Sequence, residues 1–110
     1  MKYVSVFVVG VLLLLTAVAC QSGSLDAAPV ELSDTVAVRD NKFDPRAIEV
    51  APGTKVMWRF EGDSPHNVTG DGWASETQRA GGYERVFATA GTYDYKCTVH
   101  PGMTGRVIVR

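Results

Sequence analysis

Residues 92–97 alternate strictly between polar and apolar side chains, with Tyr93, Tyr95 and Cys97 on one face. A period of two over aromatic and β-branched residues predicts a half-buried strand. Cys97 ends that strand on its apolar face, so its sulfur is expected to point into the protein. At this strand end a metal ion can replace solvent beside the sulfur.

The same period recurs along the chain, and no segment has a convincing helical period. In Lys55–Phe60, for example, Val56 and Trp58 face one way and Met57 faces the other. The pattern predicts strands at 35–38, 47–50, 55–60, 83–89, 92–97 and 105–109. Residues 71–80 are the one stretch that could hold a short helix or a loop. Short strands separated by Gly and Pro turns predict an all-β, antiparallel sandwich or barrel.

The chemistry of the chain is concentrated in residues 97–103, Cys-Thr-Val-His-Pro-Gly-Met, and in His66 upstream. The chain has only two His, and both belong to this group. Two imidazoles, one thiolate and a weak thioether form the ligand set of a type 1 blue copper site. Zinc is the competing metal, but structural zinc prefers four strong ligands. We therefore predict one copper ion held by His66, Cys97, His100 and Met103.

Two motifs, P-H-N-V at 65–68 and Y-D-Y-K-C-T-V-H-P-G-M at 93–103, closely resemble the cupredoxins, in particular the plastocyanin and amicyanin branch. The resemblance implies a Greek-key β-sandwich or barrel of about seven to eight strands. It also implies that Cys97 and the two His are equatorial ligands and that Met103 is axial. The short gap between His100 and Met103 resembles the amicyanin ligand loop.

The resemblance assigns roles to the neighbours of these ligands. Asn67 matches the family position that hydrogen-bonds to the Cys-bearing loop, with Thr98 as its partner, and such bonds hold ligands rigid. Val99 stands where the family commonly has Pro, which lacks a backbone N–H. We hypothesise that the Val99 N–H reaches the Cys97 sulfur, stabilises Cu(I) and raises the reduction potential.

The resemblance places His100 at a surface edge through which electrons pass, where donor and acceptor proteins dock. Pro65, Val99, Pro101 and Trp73 could form an apolar patch there. The alternative for Trp73 is an isolated apolar residue at the surface, which is common in proteins.

The N-terminus predicts export. Residues 1–19 combine Lys2, an apolar stretch and Ala17-Val18-Ala19, which is typical of a signal peptide. Cys20 follows, as in a bacterial lipoprotein, where it would carry the lipid. Ordinary cleavage after Ala19 and an uncleaved membrane anchor are the alternatives. Residues 20–33 are predicted to be a flexible tether and 34–110 a single copper domain, in the periplasm or on the outer face of the cell membrane.

Cysteine usage agrees with this interpretation. With Cys20 lipidated, Cys97 has no disulfide partner, and metal ligation explains a free thiol in an exported protein. The rival is a Cys20–Cys97 disulfide, which would tie the tether to the metal motif.

These features favour a monomeric one-electron carrier between redox proteins. The net charge is −1 and there is no basic stripe, so nucleic acid is not a predicted partner. The alternative is a copper-binding module for storage, delivery or sensing. Such modules favour Met-rich or multi-Cys sites, whereas only Met57 and Met103 follow the signal. A copper enzyme would need further His for a second centre, so no substrate chemistry is predicted.

Overall fold

The computed structural model describes residues 29–110, which form a two-sheet β-sandwich. The predicted signal segment, Cys20 and most of the predicted tether lie outside these residues. Within them the chain forms ten strands and no helix. The strands are β1 (Val30–Leu32), β2 (Thr35–Arg39), β3 (Lys42–Asp44), β4 (Ala47–Val50), β5 (Thr54–Phe60), β6 (Thr69–Gly70), β7 (Trp73–Ala74), β8 (Gly82–Phe87), β9 (Gly91–Lys96) and β10 (Thr104–Val109).

One sheet has the strand order β1-β4-β10-β9-β6-β7 and the other β3-β2-β5-β8. The predicted all-β sandwich is confirmed, although the described residues hold more strands than expected. The prediction of antiparallel pairing was incomplete, because β1 and β10 both pair in parallel with β4, and β2 pairs in parallel with β5. These partners are distant in sequence, so no local hairpin signal marks them.

The core lies between the two sheets and follows the predicted alternation. On β5, Val56, Trp58 and Phe60 are buried while Lys55 and Arg59 are exposed. Trp58 is completely buried and contacts rings from both sheets, including Tyr95 at 5.3 Å between centroids. Aromatic rings at such separations add stabilisation beyond the area that they bury. The strand that leads to Cys97 is thereby anchored to the opposite sheet.

Residues 71–80 form no helix. They form a loop that contains the short strand β7, so the loop alternative is confirmed. Gly72, at φ +80°, turns β6 into β7, and Ser75 bonds back to Val68 through both its backbone N–H and its hydroxyl. An isolated bridge then pairs Gln78 with His66. These bonds replace the internal hydrogen bonds that a helix would have used.

The structure also extends the ordered domain towards the N-terminus. Val30–Leu32 lies inside the predicted tether but pairs with Ala47–Glu49 as strand β1. All three β1 residues are exposed, so the strand is held mainly by backbone hydrogen bonds and has a weak sequence signal. Among residues 29–110, no helix is long and apolar enough to cross a membrane.

Candidate metal centre

Three elements bring the predicted ligands to one end of the sandwich. Cys97 directly follows β9, and Met103 directly precedes β10. His66 lies in the long connection between β5 and β6, where its backbone N–H and C=O both pair with Gln78. His66, Cys97 and Met103 are buried, with 1%, 3% and 3% of their surface exposed. His100 is half-buried on the loop between β9 and β10.

The donor atoms of His66, Cys97 and His100 all lie within 4.8 Å of one another. Cys97 Sγ is 3.8 Å from Nδ1 of His66 and 3.9 Å from Nδ1 of His100. A metal ion bonded to sulfur at about 2.3 Å and to nitrogen at about 2.0 Å, with about 120° between the two bonds, would place the S and N atoms about 3.7 Å apart. The cluster therefore fits a single ion with trigonal His, His and Cys ligands.

The ligand loop 97–103 is closed by its own backbone. The Cys97 N–H donates to the Met103 carbonyl at 2.9 Å, and the Met103 N–H reaches the His100 carbonyl at 3.4 Å. Gly102 has φ +82°, a left-handed conformation that glycine adopts without strain. The loop thus has a defined shape that does not depend on metal bonds alone.

Asn67 connects the His66 segment to the Cys97 segment. Its Nδ2 donates to Thr98 Oγ1 at 2.7 Å and to Thr77 Oγ1 at 3.2 Å, while its Oδ1 accepts from the Thr98 N–H at 2.9 Å. Thr69 Oγ1 also donates to Oδ1, at 3.1 Å. Asn67 is buried, so losing these bonds would leave polar atoms unsatisfied. The contact expected from the resemblance is present.

The surroundings of Cys97 favour its thiolate. Burial raises the pKa of the thiol, but hydrogen bonding from the Asn67 backbone, the two imidazoles and the Val99 backbone outweighs it and lowers the pKa to about 6. The thiolate is the form that binds metal. The hydrogen bond from the Val99 N–H to the Cys97 sulfur stays a prediction.

Asp40 was not among the predicted site residues. Its Oδ1 lies 3.0 Å from Nε2 of His66, on the side of the ring away from Cys97. The hydrogen bond to His66, with two from backbone N–H groups, lowers the pKa of Asp40 to about 2. Burial lowers the pKa of His66, but bonding to Asp40 and Cys97 raises it overall. The only sequence signal was an acidic residue in a turn, which is too common to identify a site.

The surface beside His100 is partly apolar. Val99 has 44% of its surface exposed, and Pro101 and Gly102 are also exposed. Trp73 instead packs against the core, stacked on Tyr83 at 6.3 Å with the Arg85 guanidinium 4.9 Å from its ring centre. The structure thus favours a packing role for Trp73.

A buried thiol flanked by two imidazoles, at one end of a two-sheet sandwich, defines a cupredoxin with one type 1 copper site. The chain belongs to the plastocyanin/azurin family of copper-binding proteins, whose family model matches residues 30–110.

Its relatives include amicyanins. It is 36% identical to amicyanin of Paracoccus denitrificans over 93 residues, which cover 74% of this chain and 71% of the relative. It is 34% identical to amicyanin-alpha of Methylorubrum extorquens over 102 residues, which cover 83% of this chain and 85% of the relative. An oxidized amicyanin variant of known structure superimposes with a TM-score of 0.65 at 31% identity, covering 73% of this chain and 82% of that one. The chain is accordingly a blue copper electron carrier of amicyanin-like type.

Proposed function

We propose that the protein is exported and carries single electrons between redox partners that dock at the His100 edge. In this proposal His66, Cys97 and His100 would hold the copper as strong ligands, and Met103 would be its weak fourth ligand. The observation that carries the proposal is the convergence of both Nδ1 atoms on Cys97 Sγ, at 3.8 and 3.9 Å. Bound copper supplies a one-electron Cu(II)/Cu(I) couple at this position.

The surrounding residues suit rapid electron transfer because they keep the ligands in place. The bonds of Asn67 to Thr98 and of Cys97 to Met103 fix the loop without help from solvent. His100 is the one imidazole of the pair that is not fully buried, so it offers the shortest path from the site to a partner. The exposed side chain of Val99 gives that partner an apolar contact.

We extend the proposal to membrane attachment through a lipid on Cys20, which lies outside the described residues. Support comes from the sequence alone, where Ala17-Val18-Ala19 precedes Cys20. Recovery of the protein in the soluble fraction of a bacterial expression host with an unmodified Cys20, shown by mass spectrometry, would overturn this part of the proposal.

The central experiment adds Cu(II) to the full chain and records its visible and EPR spectra, followed by a redox titration. We expect an intense blue colour, narrow copper hyperfine splitting and reversible one-electron cycling with copper retained. A colourless product, or copper loss on reduction, would instead favour a zinc site or a storage and delivery module.

Val99 provides a test of how the site sets its potential. We expect Val99→Pro to lower the reduction potential, because it removes an N–H that stabilises the electron-rich Cu(I)–thiolate. A neutral hydrogen bond worth about 1 kcal/mol corresponds to about 40 mV for one electron. Protein-film voltammetry measures the shift. Val99→Ala, which shortens the side chain and keeps the N–H, is the matched control. An unchanged or higher potential in Val99→Pro would refute the hypothesis.

A further inference from the structure

Asp40 lies at the tip of the hairpin that joins β2 to β3. Arg39 pairs with Lys42 in the strand register, so Asp40 and Asn41 form a two-residue turn. Asn41 has φ +64°, a left-handed conformation that Asn tolerates better than most residues. The turn presents the Asp40 carboxylate to the connection that carries His66.

The carboxylate binds that connection at three points. Its Oδ1 accepts from the Ser64 N–H at 3.0 Å and contacts His66 Nε2 at 3.0 Å, and its Oδ2 accepts from the Asp63 N–H at 3.0 Å. An ionised carboxylate can only accept hydrogen bonds, so the Nε2 atom of His66 must carry the proton. The protonated ring can donate from both nitrogens, to Asp40 and to Cys97. Once the ring is neutral, its lone pair is on Nδ1, the atom that faces Cys97 Sγ.

Gly62 leaves room for this approach. A Cβ placed on Gly62 would lie 2.6 Å from Asp40 Oδ1 and 3.2 Å from its Cγ. Both distances are shorter than ordinary van der Waals contact, so any larger residue would displace the carboxylate. The φ of Gly62 is not in the left-handed region, which makes space the reason for glycine here.

We propose that Asp40 is the positioning residue for the copper ligand His66, and that its charge lowers the reduction potential. The proposal rests on the proposed function for its copper readout. A carboxylate bonded to the outer nitrogen of a ligating imidazole fixes the ring and raises its basicity. Its negative charge, held beside the site, stabilises Cu(II) more than Cu(I).

The test compares variants of the full chain at Asp40, Asp44 and Gly62. Asp40→Asn keeps an acceptor but removes the charge, Asp40→Ala removes both, and Asp40→Glu preserves the charge. Asp44→Asn is the matched control, since Asp44 lies on the same hairpin and pairs with Arg39 at 3.4 Å. Loss of such an outer partner lowers metal affinity about 10- to 100-fold.

We expect Asp40→Ala to weaken Cu(II) relative to Cu(I) by at least about tenfold, which raises the potential by about 59 mV. The reduction potential of Asp40→Asn should also rise. The potential of Asp40→Glu should lie between those of Asp40→Ala and wild type, and that of Asp44→Asn should equal the wild-type value. Gly62→Ala, which retains the charge, should raise the potential because it displaces the carboxylate. A wild-type potential in Asp40→Asn, or an equal shift in Asp44→Asn, would overturn the proposed charge effect.

A second readout does not require copper. In the metal-free protein at alkaline pH, long-range ¹H–¹⁵N NMR distinguishes the two imidazole tautomers, and the chain has only two His to assign. We expect His66 of the wild type to carry its proton on Nε2 and Asp40→Ala to populate both tautomers. The same tautomer in both proteins would overturn the positioning role, even if the wild type proved not to be a blue copper protein.

Discussion

Cys97→Ser is expected to abolish the blue colour of the copper-loaded protein completely. The intense absorption depends on a thiolate bound to Cu(II), and a serine hydroxyl is not ionised at neutral pH. Cu(I) should also bind more weakly, since thiolate is the soft ligand of the set. Visible absorption and EPR spectra of the variant after addition of Cu(II) measure both the colour and the hyperfine splitting.

The other cysteine supplies the control. The chain contains two Cys, so Cys20→Ser is the matched substitution that leaves Cys97 in place. It should retain the full blue spectrum. Because Cys97 and Ser are similar in size, the Cys97→Ser fold should survive, which circular dichroism verifies. A blue Cys97→Ser protein, or a colourless Cys20→Ser protein, would contradict the assigned ligand.

The sequence predicted the sandwich because half-buried strands leave a strong local signal. On β5 and β9 the side chains alternate between core and solvent, and their burial follows the predicted faces of Trp58 and Tyr95. Each face can be read from neighbouring residues alone. The parallel pairing of β4 with β10 leaves no such signal, because it joins segments that are distant along the chain.

The site was predictable to the extent that its residues are chemically unusual. Cys97, His100 and Met103 lie in one short segment, and His66 is the single remaining imidazole. The Asn67–Thr98 contact was expected through the family resemblance and is present in the structure. The assignment of the first four residues as copper ligands, and of Asn67 and Thr98 as the residues that hold them in place, remains a prediction that the spectroscopic experiments test.

Asp40 could not have been found in this way. It lies 26 positions before His66, and its carboxylate resembles those of Asp44 and Glu61 nearby. Only the three-dimensional pairing of β2 with β5 brings the hairpin tip to the His66 segment. Surface carboxylates are common, so the sequence offers no reason to single out this one.

The largest loss of stability is expected from Trp58→Ala. Trp58 is completely buried on β5, and its ring contacts Tyr83 and Phe87 on its own sheet and Trp73 and Tyr95 on the other. Truncating a buried Trp to Ala costs about 3–5 kcal/mol. Because small domains are stable by only about 5–15 kcal/mol, this loss is a large share of the total.

Urea unfolding of the metal-free protein measures the change without the contribution of bound copper, with Trp73 as the remaining tryptophan fluorophore. Leu32→Ala is the control, since Leu32 is apolar but 83% exposed, and it should change the free energy of unfolding by less than about 0.5 kcal/mol. If Trp58→Ala fails to fold, Trp58→Phe retains an aromatic ring and should show a smaller loss. Equal stability of the Trp58 and Leu32 variants would mean that the two sheets are not held together through this ring.

The same substitution should also affect the copper site. Tyr95 packs on Trp58 and lies two residues before Cys97, near the end of β9, so loosening this contact should broaden the EPR spectrum of the copper-loaded protein.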